Sequence, residues 1–523
     1  MKIALSTLLV LLLGVVAGGL AAWHRPPPAA RPGELRVVHA ASRLSIDPRV
    51  VRDGAALGQR IIDALWDPLL TVEDDGEIRA AAAASWEVSA DQRRVTLHLR
   101  PGLVWSNGEA VTAEDYRRTL RWMEETGYPH PLMQQFQPLR TDDSLAKVAD
   151  IVSAPDARTL VLSLPEPVPG IVFAIASGAW IPLHRTSPEQ IASGRYRRAP
   201  GELVTNGAFR LAEVGADVWQ LERNLRYRAA ADVRLSRVHF ARVDGPSYFS
   251  PAVASGGADL GDAVLMSRTA LPAVVTETTS GISLLHFNVE RPPLNDPRVR
   301  RALSLALDRE TLARSFAGAS GEALFSCMPP RPGEPPERTV TEDLAEAKRL
   351  LAAAGYPEGR GLPVLKLPLV RSRQPNPIAY SCADQWRSRL GIAVYVIPLS
   401  VGEINARLAR GEFDIMHFYW TLGRGEASLF AAAPLDALPR AYQLHLTAEQ
   451  QRQIEQARAQ QGEARRVALR AVERELLAAM PCTPVVGYRR SFVIGPRVDG
   501  WQSDVSGAHP FAALALKTFT PAP

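Results

Sequence analysis

LHFNVERPPLNDPRVRRALSLALDR, residues 285–309, contains a helix start written in three residues, Asn295, Asp296 and Pro297. The Asp296 side chain suits the unpaired N–H groups of a first turn, and Pro297 has no N–H to lose there. Val299, Ala302, Leu303, Ala306 and Leu307 then recur at i, i+3 and i+4, the apolar stripe of a helix. Arg298, Arg300 and Arg301 are expected on its solvated side.

The same alternation of element types runs outward in both directions. Downstream, 342–355 is a helix closed by a glycine, and 364–370 and 392–399 read as buried strands around a helix near 377–389. A helix at 402–410, a strand from Phe413 to Trp420, helices at 448–480 and a last strand near 484–494 complete that half. Upstream, 35–41 alternates as a strand, 55–66 is helical and ends near Trp66, and 86–99 is a hairpin around a polar turn. Thr112 is placed to cap a helix whose first turn holds Glu114 and Asp115, favourable charges for a helix N-terminus. RTLVLSLPEPVP, 158–169, is a strand stopped by prolines. Strands alternating with helices favour an α/β fold.

Length and charge narrow the function. A chain of 523 residues is too long for one core, since cores stop growing at roughly 250–300 residues. The net charge is only +5, with basic residues dispersed, so no nucleic-acid footprint is present. Residues 1–22 combine Lys2, a Leu/Val-rich middle and small residues at Gly18, Gly19, Ala21 and Ala22. That is a signal peptide or, if uncleaved, an N-terminal anchor. No cysteine lies there for lipid attachment, and residues 23–34 form a Pro-rich tether. Cys327, Cys382 and Cys482 match no metal or redox spacing. They are expected as buried thiols, with one optional disulfide whose partners the spacing leaves open.

No nucleotide-cradling glycine motif follows a strand, no zinc-type histidine pair occurs among the ten histidines, and no G-x-S-x-G elbow is present. Neither catalysis, nor a cofactor, nor a metal is expected.

Three longer blocks carry more. They are ASWEVSADQRRVTLHLRPGLVWSNGEAVTAEDY (84–116), LVTNGAFRLAEVGADVWQLERN (203–224) and the 285–309 block. In this order they resemble the periplasmic oligopeptide-binding proteins of ABC importers, solute-binding protein family 5. The resemblance spans about 35–515. It implies a large two-lobed periplasmic-binding-protein fold (type II, cluster C) with an extra inserted subdomain. Lobe I would comprise 35–65, 187–281 and 491–519, the insert 66–186, and lobe II 282–490. The implied protein is a monomer in the periplasm that encloses a peptide or small solute and hands it to ABC permease subunits. The blocks themselves are expected to specify the fold and not the ligand.

The resemblance also marks a departure. Oligopeptide binders carry an Asp shortly after the tryptophan corresponding to Trp420, which pairs with the ligand's ammonium. Here Thr421, Leu422, Gly423 and Arg424 follow. His417 stands at the family's basic position, and Thr421 stands where a cysteine often does. Trp420, Tyr419, Thr421, His417 and Arg424 are the candidate ligand-binding residues, with Trp420 walling the ligand and the strand edge at Tyr419 and Thr421 offering backbone groups. Three ligand states remain open: a peptide lacking a free amine, an acidic small solute, or a degenerate pocket in a tethered protein that works through protein contacts.

Overall fold

The computed structural model describes residues 29–40, 44–48, 56–72, 78–126, 151–164, 171–177, 180–244, 248–263, 274–317, 321–328, 337–371, 377–400, 403–404, 406–407, 410–421, 447–458, 460, 462–501 and 510–517. Residues 1–22, expected as a leader, and 23–28 of the expected tether lie outside them. No described helix is long and apolar enough to cross a membrane.

One nine-stranded sheet organises the chain. Across it run Ile415–Thr421, Val274–Phe287, Cys482–Ile494, Leu260–Ala263, Glu34–His39, Arg237–Arg242, Val218–Arg223 and Phe209–Val214, with Gly321–Ala323 also paired to Cys482–Ile494. Glu34–His39 is parallel to both of its neighbours, and the other pairs are antiparallel. The buried residues fall mainly into two cores. One gathers Leu35 to Leu260 and takes back Phe492, Val498, Phe511 and Leu514 from the end of the chain. The other gathers Ile282 to Val486.

Two long strands, Val274–Phe287 and Cys482–Ile494, run from the first core to the second. Their ladder carries three register shifts, one between Ser283 and Leu284 and two close together, between Thr276 and Thr279 and between Thr279 and Gly281. A ladder broken at that point is weakest there, so the sheet bends most readily between the cores.

The hairpin forms as Ala83–Val88 and Arg94–Leu99 and joins Thr159–Ser163 and Val152–Ser153 in a separate four-stranded sheet. The capped helix is Ala113–Glu125. There the Asp115 carboxylate accepts from the Thr112 N–H and hydroxyl, at 2.8 and 3.1 Å. The strand Leu365–Val370 is largely buried, but its parallel partner Val394–Leu399 is not: Tyr395 is 63% exposed. The expectation of two buried strands fails because Val394–Leu399 is an edge of a two-stranded sheet with one face packed, Val394 and Val396 lying on the second core while Tyr395 stands on the opposite, exposed face.

Two of the three sequence blocks, 84–116 and 203–224, turn out to be interlocked. Ser106 and Thr205 exchange backbone and side-chain hydrogen bonds, the Ser106 N–H reaching Thr205 O at 2.7 Å and the Thr205 N–H reaching Ser106 Oγ at 3.2 Å. Gly207 donates to Leu65 O at 2.8 Å, and Asn224 Nδ2 donates to Gly207 O at 2.9 Å. Asn206 Oδ1 accepts from the Asp67 N–H, and Arg228 holds the Asp67 carboxylate. These residues weld the four-stranded sheet and its helix to the large sheet.

The arginines of the 285–309 block need a correction. Arg298 and Arg301 are exposed, as expected, but Arg300 is buried. Its guanidinium donates to Met480 O, Leu294 O, Asn295 O and Ala479 O. Ala479 and Met480 close the helix Gly462–Ala479, whose last carbonyls have no donor within the helix, and Leu294 and Asn295 precede the helix Pro297–Leu305. An arginine supplies the missing donors.

Candidate functional site

The strand Ile415–Thr421 is the edge of the large sheet. It pairs with the lower half of the first crossing strand, setting Thr421 opposite Gly281, Trp420 opposite Ile282, Tyr419 opposite Ser283 and His417 opposite Leu285. Its start is fixed from several sides. Lys366 N–H donates to Asp414 Oδ2 at 2.7 Å, Asp414 N–H donates back to Lys366 O, and the Asn288 side chain donates to Phe413 O at 3.0 Å. Ile415 and Met416 bury their side chains on opposite faces, the first in the second core and the second in a small cluster with Leu399, Ile404 and Phe413. A strand anchored so firmly at one end carries its far end, Tyr419–Thr421, to where the cores meet.

Four of the five candidate residues, His417, Tyr419, Trp420 and Thr421, therefore share one strand. Arg424 lies outside the described residues. Positions 417 and 419 fall on the face of Ser283, and position 420 on the other. No strand is laddered to the outer edge of this strand among the described residues, although Leu365–Val370 lies against it and takes the Asp414 N–H at its start. Outward N–H and C=O groups beyond that contact can receive an extended segment as an added strand.

His417 Nε2 is 2.7 Å from Ser283 Oγ. Burial pushes its pKa down from 6.5 to about 4, so the ring is neutral at neutral pH and cannot serve as the cation expected at this position. The sign of the pH dependence follows. The unfolded ring takes up a proton below about pH 6.5, whereas the folded ring does so only near 4, so this residue costs stability as pH falls from 6.5 toward 4. His417→Gln should flatten the melting temperature across that window. An unchanged slope would show that other groups set the acid response.

Ser283, Asn288 and Asp414 were not singled out from sequence. Ser283 shows no signal beyond alternation within a strand. Asn288 and Asp414 sit where an apolar run meets a polar residue, the pattern of a strand terminus. No group of three metal-type ligands occurs among the described residues.

Two cores threaded by one sheet, joined through an irregular pair of crossing strands and bearing an open strand edge beside the joint, define a two-lobed, hinged solute-binding protein. The model of the bacterial extracellular solute-binding proteins, family 5 Middle, matches residues 77–436, and the chain belongs to that family. It is a solute carrier and not an enzyme. The chain is 28% identical over 414 residues to the probable deoxycholate-binding periplasmic protein YgiS of Escherichia coli, covering 74% of this chain and 75% of that one. To the periplasmic murein peptide-binding protein MppA of the same organism it is 27% identical over 476 residues, covering 84% and 86%. The fold matches the unliganded open form of MppA with a TM-score of 0.74 at 23% identity, over 94% of this chain and 99% of that one. It also matches Haemophilus influenzae OppA in complex with RPPGFSPFR, with a TM-score of 0.66 at 20% identity, over 94% and 100%.

Proposed function

We propose that this protein works outside the cytoplasm, in the periplasm, where it encloses a peptide or peptide-like solute between its lobes and delivers it to the permease subunits of an ABC importer. The open edge of Ile415–Thr421 carries the proposal, because a backbone edge recognises a backbone. In this reading lobe I is 35–65, 187–281 and 491–519, the insert 66–186 and lobe II 282–490. The two cores and the separate four-stranded sheet support that division. Trp420 walls the ligand, Tyr419 and Thr421 present backbone groups, His417 stays neutral beside Ser283, and Arg424 favours ligands without a free amine. Relatives named for murein peptide and oligopeptide binding support a peptide.

A second reading, an acidic non-peptide solute, is favoured by the relative named for deoxycholate. The test is thermal. Residues 24–523 are unfolded and refolded to strip carried-over ligand, then melted with a peptide pool and with an acidic-solute panel that includes deoxycholate. A ligand at 100 times its Kd adds about 2.7 kcal/mol, a rise of several degrees. A response to peptides supports import of peptides. A response to deoxycholate alone replaces the ligand and keeps the carrier. Silence to both returns the tethered, pocketless role.

A further inference from the structure

Cys327 and Cys482 meet in the second core. Both are wholly buried, on segments that run antiparallel. Gly321, Glu322 and Ala323 pair with Tyr488, Gly487 and Val486, and the Leu324 N–H continues to Val485 O at 3.1 Å. Carried three residues beyond Leu324, the same register sets Cys327 opposite Cys482. The two thiols are neighbours, unbridged in the structure.

The segment is held in place by a second group. Glu473, itself wholly buried on the helix Gly462–Ala479, accepts from the Ser326 hydroxyl at 2.9 Å and from the Cys327 N–H. The Ser326 hydroxyl also reaches Met328 O. Cys327 is thus fixed by its backbone while its side chain faces its partner. Opposed positions on antiparallel segments lie about 4.5–5.5 Å apart at Cα, within the span a disulfide bridges. Cys382 is elsewhere in the same core, on the helix Pro377–Leu390, near Arg309.

We propose that Cys327 and Cys482 are a disulfide site, oxidised as the chain folds outside the cytoplasm, and that Cys382 is the thiol left over. The proposal rests on the export reading, because only an oxidising compartment keeps such a bond. In the reaction two S–H bonds are lost and one S–S bond forms. The two electrons and two protons pass to a disulfide oxidant, a protein oxidase or oxidised glutathione, which leaves as two thiols. The neighbouring Cys482 thiol and burial raise the pKa of Cys327. With both sulfurs wholly buried the finished core shields them, so the bond forms before the core closes. The link ties the Glu473-held segment to the strand that crosses between the cores, and it shuts the long loop between them.

The test counts thiols in the full chain. It is expressed with its leader, recovered from the periplasm, denatured in iodoacetamide and analysed by mass spectrometry. One alkylated cysteine, Cys382, and a peptide joining 327 to 482 are expected. Three alkylated cysteines in periplasmic protein, or a link through Cys382, would overturn the proposal. If the chain is not found in the periplasm, the export reading fails instead. Refolding the reduced chain in a glutathione buffer then decides separately: the 327–482 link sustains the site, and three free thiols end it. Dithiothreitol should lower the melting temperature of the oxidised protein by several degrees and leave that of the C327S/C482S double variant unmoved.

Discussion

Arg309→Met should lower the unfolding transition of the second lobe by about 3–5 kcal/mol, leaving the first lobe nearly untouched. Arg309 has no exposed surface. Its Nε donates to Pro484 O at 2.8 Å, Nη1 to Ser304 O at 3.2 Å, and Nη2 to Ser304 Oγ and Thr483 Oγ1 at 3.1 and 2.8 Å. Burial holds its pKa at about 10, so it remains charged at neutral pH. A buried ion pair can often be exchanged for apolar residues at little cost when both partners go together. Here the partners are mostly carbonyls and hydroxyls that stay behind: the Ser304 and Thr483 hydroxyls keep each other at 2.7 Å and Ser304 O keeps the Leu307 N–H, but all lose a charged donor, and Pro484 O is left with only the Thr483 hydroxyl at 3.5 Å. That penalty is about 1–3 kcal/mol per group, and local relaxation recovers part of the sum. Calorimetry checks it, because two lobes with separate cores need not melt together. A second-lobe transition within a degree of the wild type would sink the argument. The same fall in both lobes would sink it too.

Gly207→Ala should strike the other lobe, by about 3 kcal/mol or more. A Cβ at residue 207 would stand 2.5 Å from Ala64 O, 2.6 Å from Leu65 C and 2.7 Å from Trp66 N. All three are backbone atoms, so no side chain can turn aside. Nor can residue 207 retreat, since its N–H is bound to Leu65 O and its carbonyl receives Asn224. Overpacking with flexible neighbours costs about 1–3 kcal/mol, and a rigid neighbour sets the upper end. On a lobe of roughly 200 residues that is a fall of about 6–12 °C in its transition. A melt unchanged in the first lobe would mean that the turn at 205–208 can open without loss.

These two residues also show what can be read without coordinates. The helix start at Asn295–Pro297, the hairpin at 86–99 and the cap at Thr112 are local: each depends on side chains within a turn or two of the backbone that they serve. They formed where the spacing placed them. Arg300 was misjudged because its partners, Met480 O and Ala479 O, lie far along the chain and leave no trace in a helical pattern. Gly207 is required by the approach of a distant helix end, which no local pattern records. The four candidates on one strand were legible because a strand is contiguous. The neutral state of His417 was not, because it depends on what encloses the ring. The pairing of cysteines is non-local for the same reason, and three cysteines allowed every combination.

The return of the chain's end to its beginning has a consequence for the order in which the molecule is made. Asp259 takes Arg36 at 2.9 Å and Arg497 at 3.1 Å, while Arg60 lies 4.3 Å from the centre of the Phe511 ring. The earliest residues to emerge are thus waiting for nearly the latest. A chain leaving the ribosome, or threading a membrane pore, cannot complete its first core until residues 492–514 arrive, so that core stays open throughout synthesis. The second lobe, contiguous in sequence, can close first. A nascent chain truncated before Phe492 should therefore remain sensitive to protease across residues 35–260, however long it is given to fold.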